Sequence, residues 1–351
     1  MQSLERERAG LMSPVHSTSD RARLLALINA SWTTQVAATA VELGLADLLA
    51  QGVSSLATLA AASGCHAPSL QRLLRALVSL DLCVENQDGT FELTSTGMLL
   101  REDVPESLAA WATVCGRQSW LIWHDLAESV RTGKSVRLRT LGVDGFAHLD
   151  SDRRKARRFN RAMVNLTQPI AAAIARLIDF SADRRFVDVG GGFGGLAAAI
   201  LAVHPSLQGV VYDLEHATLD APAVLAHAGV SDRCQVSTGS FFDGVPPGAD
   251  TYLLKSILHN WDDERCVNIL RQCRRAMPAH ARLIVIERIA PERPVASPAD
   301  QAIARSDLNM LVSCAGQERT LKAYEALLDA GGLHPRRLYT VDAGYSAIEA
   351  R

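Results

Sequence analysis

The sequence predicts an α/β protein, a Rossmann-like doubly wound sheet preceded by a mainly helical N-terminal region that includes a winged helix. Three observations carry the prediction. From residue 185 onward, β-branched apolar runs alternate with helical ones. A glycine-rich turn, FVDVGGGFGGL over residues 186–196, joins the first strand to its helix. Residues 54–100 read in succession as helix, turn, helix and hairpin.

Taken in order, residues 1–19 read as a loose charged tail lacking the apolar core of a signal peptide. Residues 21–52 are helical in period, punctuated by Gly44 and Gly52. LATLAAASG then ends a helix at Gly64, Pro68-Ser69 opens the next, and Asp88-Gly89 makes a hairpin turn. That winged helix carries Arg72 and Arg75 against Asp81, Glu85, Asp88 and Glu92. A domain that neutralises phosphates needs a basic face, so a packing or dimerisation module is expected and nucleic acid is not. Residues 105–180 are helical again, with Trp111, Trp120 and Trp123 expected to anchor packing. The basic run RRKARRFNR at 153–161 reads as a solvated helix face, with Phe159, Ala162, Met163 and Leu166 turned inward.

The expected organisation is therefore a tail (1–19), a winged-helix dimerisation domain (20–104), a helical linker that lines the substrate region (105–180) and a cofactor-binding sheet domain (181–351). In the last, strands are expected at FVDVGG, GVVYDL, QVSTGSFF, DTYLLKSILH and ARLIVIERI. A proline-rich loop (291–298), a helix near 307–311, a helix ending at Gly331-Gly332 and two closing strands follow. With 351 residues, a net charge of −2 and a pI near 6.6, the chain has no overall draw toward nucleic acid or anionic membrane. No apolar run is expected to reach the roughly 20 residues of a membrane span. Seven scattered cysteines without a C-x-x-C pair argue against zinc and against a disulfide framework, and point to reduced thiols in a cytoplasmic protein.

The glycines fit two templates. Gly190, Gly192 and Gly195 satisfy G-x-G-x-x-G, with Asp213 about 20 residues on, as a dinucleotide site has it. Asp188, Gly190, Gly192 and Gly194 satisfy acid-x-G-x-G-x-G, the loop typical of S-adenosylmethionine (SAM) sites, where the acid sits near the methionine ammonium. Ligands of open α/β sheets bind at the carboxyl ends of the strands, which here carry Asp188, Asp213, Ser240, His259 and Glu287. Asp213 offers two acceptor oxygens to a ribose diol. His259, expected to end a strand with Glu287 on the next, suits a general base whose imidazolium a carboxylate stabilises.

Three segments, VDVGGGFG (187–194), LLKSILHNWDDE (253–264) and GQERTLKAYEALLDAGG (316–332), make the chain similar to the SAM-dependent O-methyltransferases of the plant caffeate type and their bacterial relatives in natural-product tailoring. The resemblance runs from about residue 24 to the end. It implies SAM as cofactor, S-adenosylhomocysteine as product, an aromatic small-molecule substrate, and a homodimer interlocked through the winged helix. It places Gly190 in the methionine loop and Asp213, with Leu214 beside it, at the ribose. Ser240 and Phe241 fall at the adenine, Lys255 against the cofactor, and His259 at the base, held by Glu287 and Glu318. Phe159, Met163, Asn309 and Met310 fall at the substrate pocket.

Two positions depart from the family pattern. Ser240 stands where Asp is usual, and Asn260 where Asp follows the histidine, so Asn260 is expected to make a different substrate contact. No acidic cluster resembles a magnesium site, so no metal is expected. The implied function is O-methylation of a phenolic hydroxyl. The alternatives are a relative with N- or C-methylation or no methyl transfer, a SAM-sensing DNA-binding regulator, and a nicotinamide-dependent dehydrogenase.

Overall fold

The computed structural model describes residues 18–142, 146, 149, 152–341 and 344–351, so most of the expected tail lies outside the described residues. The chain divides between Leu100 and Arg101 into two compact units.

In the first unit, α1 (Thr18–Glu42) and α2 (Leu45–Ala50) are separated at Gly44, whose φ of 66° ends the first helix. Helix α3 (Leu56–Ser63) starts where Ser55 Oγ accepts the Thr58 N–H at 3.2 Å and stops at left-handed Gly64. Helix α4 (Ala67–Ser79) has Pro68 in its first turn. It buries Leu70, Leu74 and Leu77, one stripe at helical spacing, among Leu45, Leu59 and Phe91. Strands β1 (Cys83–Glu85) and β2 (Phe91–Leu93) pair antiparallel around the Asp88-Gly89 turn, and α5 (Ser95–Met98) follows.

Helix α1 corrects one expectation. Ser19–Glu42 is 24 residues long and holds an 18-residue window with a mean hydropathy of 1.2, long and apolar enough by length and composition to cross a membrane. Its charges gather at the two ends, and the alanines, threonines and serines between them hid an uncharged window. Leu24, Leu25, Leu27, Ile28 and Trp32 on this helix are exposed.

The second unit begins with α6 (Ala109–Thr113), a π-helical turn (Val114–Ser119), α7 (Trp120–Trp123), α8 (Leu126–Thr132) and α9 (Val136–Leu141). Trp120 is exposed rather than an anchor. The long α10 (Arg153–Leu177) starts at Asp152, whose carboxylate accepts the Arg154 and Lys155 N–H groups, and contains Pro169. Its arginine-rich first turns are largely exposed, as the spacing predicts.

Then come β3 (Arg185–Val189), α11 (Gly195–Val203), β4 (Gln208–Asp213), α12 (Glu215–Thr218), α13 (Ala221–His227), β5 (Cys234–Thr238), β6 (Thr251–Lys255), α14 (Asp263–Ala276), β7 (Arg282–Arg288), α15 (Pro298–Cys314), α16 (Leu321–Ala330), β8 (Pro335–Thr340) and β9 (Tyr345–Ala350). The strands form one sheet in the order β5-β4-β3-β6-β7-β9-β8, parallel except for β9 against both its neighbours. Side chains alternate across it. Phe186 joins Ile174, Leu196 and Ile200 on one face, while Val187 and Val189 join Tyr252, Leu254 and Leu270 on the other. The order reverses between β3 and β6, which makes their carboxyl ends a topological switch point.

Two boundaries differ from expectation. Strand β6 stops at Lys255, because Ser256 takes a left-handed φ of 54° and Leu258–Asn260 coil into a 3₁₀ turn. Helix α15 spans 17 residues instead of the five expected, since Ser297 caps it and Pro298, read as the end of a loop, is its first residue.

Candidate active site

The glycine loop leaves the switch point from β3. The glycines with left-handed backbone are Gly190, Gly192 and Gly194, at φ 74°, 55° and 79°, while Gly195 is an ordinary first helical residue. The three left-handed positions are those of the acid-x-G-x-G-x-G template. Asp213, at the end of β4, ties the loop down: one carboxylate oxygen accepts the Gly192 N–H at 2.9 Å and the other the Leu214 N–H at 2.7 Å. Each oxygen keeps a further lone pair for a ligand. Leu214 is exposed at the rim.

Asp188 is 1% exposed, and its Oδ2 has no hydrogen-bond partner. Burial pushes its pKa up to about 7, with Asp213 adding to the rise and Lys255 opposing it. A buried carboxylate with an unmet acceptor beside a glycine loop suits a cationic ligand group such as the ammonium of SAM, so these residues fit that cofactor. The Phe241 ring lies where a Cβ on Gly190 would come within 3.7 Å of it, and Ser240 Oγ accepts the Phe242 N–H at 3.2 Å. Lys255, at the end of β6, donates to Thr167 Oγ1 at 2.7 Å and lies 5.5 Å from the Tyr345 ring centroid. Phe159, Met163 and Thr167 are four residues apart on α10, so they share a face of that helix with Lys255 at its foot.

His259 is held by residues from two other segments. Its Nδ1 lies 3.1 Å from Glu318 Oε1 and 3.7 Å from Glu287 Oε2. A carboxylate only accepts, so in the neutral imidazole Nδ1 carries the proton and Nε2 keeps its lone pair. The two acids do different work. Glu287 Oε1 takes the backbone N–H groups of Ile257, Leu258 and His259 at 2.9, 2.8 and 3.4 Å, anchoring the turn itself. Glu318 Oε1 holds the ring and accepts the Ser306 hydroxyl at 2.6 Å.

Burial opposes a charged imidazole, yet Glu287 and the Glu318 hydrogen bond outweigh it and raise the His259 pKa to about 9. Burial raises Glu287, whereas the bond to His259 brings Glu318 below its usual value against the effect of burial. Glu287 Oε2 and Glu318 Oε2 have no hydrogen-bond partner. The donor atoms of His259, Glu287 and Glu318 lie within 4.8 Å of one another, a clustering at metal-ligand spacing that the sequence did not reveal.

Asn260 is 7% exposed, donates one N–H to the Ser256 carbonyl at 3.0 Å and accepts from Cys314 Sγ on α15 at 3.8 Å. Asn309 and Met310 are half-buried on α15, and Asn309 Oδ1 accepts the Trp123 indole N–H at 3.1 Å. Sequence reasoning missed Thr167, Ser306, Tyr345 and Arg319 as neighbours of the site. Of these only Arg319 stood inside a segment singled out beforehand.

Comparison with known proteins matches residues 123–334 to an O-methyltransferase domain and residues 25–103 to an O-methyltransferase dimerisation domain. The chain belongs to the O-methyltransferase family. This methyltransferase is 37% identical to phenazine O-methyltransferase PhzM of Lysobacter antibioticus, over 99% of each chain. It is 39% identical to the O-demethylpuromycin-O-methyltransferase of Streptomyces alboniger, over 93% of this chain and 88% of that one. It superposes with a TM-score of 0.76 and 34% identity on NcsB1, from neocarzinostatin biosynthesis, solved with SAM and 2-hydroxy-5-methyl naphthoic acid; 91% of this chain and 95% of that chain are covered. The methyltransferase is thus SAM-dependent, with relatives that include both O- and N-methyltransferases.

Proposed function

We propose that this methyltransferase is a homodimer that methylates a phenolic hydroxyl of an aromatic small molecule, with His259 as general base. The carrying observation is the 3.1 Å contact from Glu318 to His259 Nδ1, which leaves Nε2 as the acceptor. SAM, when bound, supplies an electrophilic methyl group. Asp188, Asp213, Lys255 and the loop glycines would hold it, and Phe159, Met163, Asn309 and Met310 would hold the aromatic ring. His259 removes the hydroxyl proton at Nε2, and Glu287 and Glu318 stabilise the resulting imidazolium. Positioning of the two reactants supplies most of the remaining rate gain. The exposed apolar face of α1 lies within the part of the chain that matches the dimerisation domain, and supports a second copy as its cover.

His259→Ala is expected to lower kcat by about 10²–10⁴-fold while S-adenosylhomocysteine still binds by calorimetry. Full turnover in that variant would remove the base. A chelator is expected to leave the wild-type rate unchanged. Loss of rate restored by Mg²⁺ would give the hydroxyl's activation to a metal instead.

A further inference from the structure

Arg319 is the residue beside Glu318, it is 3% exposed, and it does not touch the His259 ring in any contact described above. Its guanidinium closes around the turn that carries the histidine. Nη1 donates to the Leu258 carbonyl at 2.9 Å, and Nη2 donates to the Trp261 carbonyl at 2.7 Å. Nε and Nη2 also donate to Asp263 Oδ1, at 3.0 and 2.7 Å. The turn's three N–H groups are held from the other side by Glu287, so its donors and acceptors are both fixed by buried charges. Gln317 N–H adds a bond to the His259 carbonyl at 2.9 Å, and Ala290 N–H to the Arg319 carbonyl at 2.9 Å. The second of these ties the 317–319 strip to the chain just past β7, which carries Glu287.

We propose that Arg319 is a positioning residue for the methyl-transfer reaction, locking the Leu258–Asn260 turn so that His259 presents Nε2 at a fixed place. Holding a catalytic group in place from behind in this way is commonly worth 10–100-fold in activity.

The inference rests on His259 as base, and the test separates the two. Arg319→Lys keeps the charge but loses the fork that spans two carbonyls. It is expected to lower kcat about 10-fold or more, with KM and S-adenosylhomocysteine affinity within about 3-fold and an unchanged pH midpoint. Arg319→Met is expected to lower kcat further, with S-adenosylhomocysteine affinity again within about 3-fold. Combined with His259→Ala, Arg319→Lys is expected to add no further loss, since it acts through that ring. Unchanged kcat in Arg319→Lys overturns the proposal, as does a parallel loss of cofactor affinity. So does full additivity with His259→Ala. Should His259→Ala itself retain activity, it is the base assignment that fails. If Arg319→Met does not fold, Arg319→Lys and the double variant decide alone.

Discussion

The glycine loop and the His259 turn sit at the carboxyl ends of neighbouring strands, and they are built by opposite means. The loop is contiguous. Asp188, three left-handed glycines and the start of α11 fall within eight residues, anchored from outside by the Asp213 carboxylate and the Tyr212 carbonyl at the end of β4. The His259 turn is three residues of 3₁₀ helix with only two nearby side-chain bonds, Asn260 to the Ser256 carbonyl and Cys266 Sγ to the Leu258 carbonyl. Its N–H groups go to Glu287, its ring to Glu318 and its carbonyls to Gln317 and Arg319. A site made of backbone conformation can be written in a short string, whereas a site made of buried charges must be assembled from distant chain.

Equivalent damage to the two regions should therefore produce different failures. The largest effect is expected from Gly316→Ala. A Cβ there would run into the His259 carbonyl oxygen and lie 2.7 Å from the Asn260 carbonyl carbon, both of them backbone. We expect kcat to fall by about 10²-fold with S-adenosylhomocysteine affinity retained, because the turn moves and the loop does not. A parallel loss of cofactor binding would show that the two regions are coupled.

Gly190→Ala is the matching change on the other side. Its φ of 74° disfavours a side chain, and the new Cβ would press on the Ile257 side chain. The expected outcome is cofactor affinity weakened by about 10-fold or more, read by calorimetry, with a smaller effect on kcat at saturation. Should kcat fall while affinity holds, the loop's conformation would be serving the base rather than the donor.

The smallest of the three is a shift in a profile. If His259 is the base proposed above, its pKa near 9 leaves it unprotonated only above that pH, so kcat/KM of the free enzyme should climb with pH to about 9. Glu318→Gln removes one of the charges that raise it, so the midpoint should move down while kcat falls about 10-fold from the loosened ring. A midpoint that does not move would mean the profile reports some other group.

Much of the fold was legible from periodicity. The strands alternate or run apolar, the helices carry stripes such as Leu70, Leu74 and Leu77, and Gly44 and Gly64 end helices where they were expected to. The misses have local causes. Ser256 is an ordinary residue in a left-handed conformation, so nothing in DTYLLKSILH announces that the strand stops at Lys255. Trp120 is apolar but exposed, and Asn260 is polar but buried, and side-chain polarity misleads in both cases.

The sequence by itself determined the donor loop, the acid that opens it and the alternation that builds the sheet, because each depends on residues close together in the chain. Tertiary structure decided which oxygens meet His259 and that Arg319 closes the turn. Those contacts join residues 28, 59 and 61 positions apart. Their pairing depends on how β7, α15 and the 316–319 strip pack, and spacing along the chain carries no record of that packing.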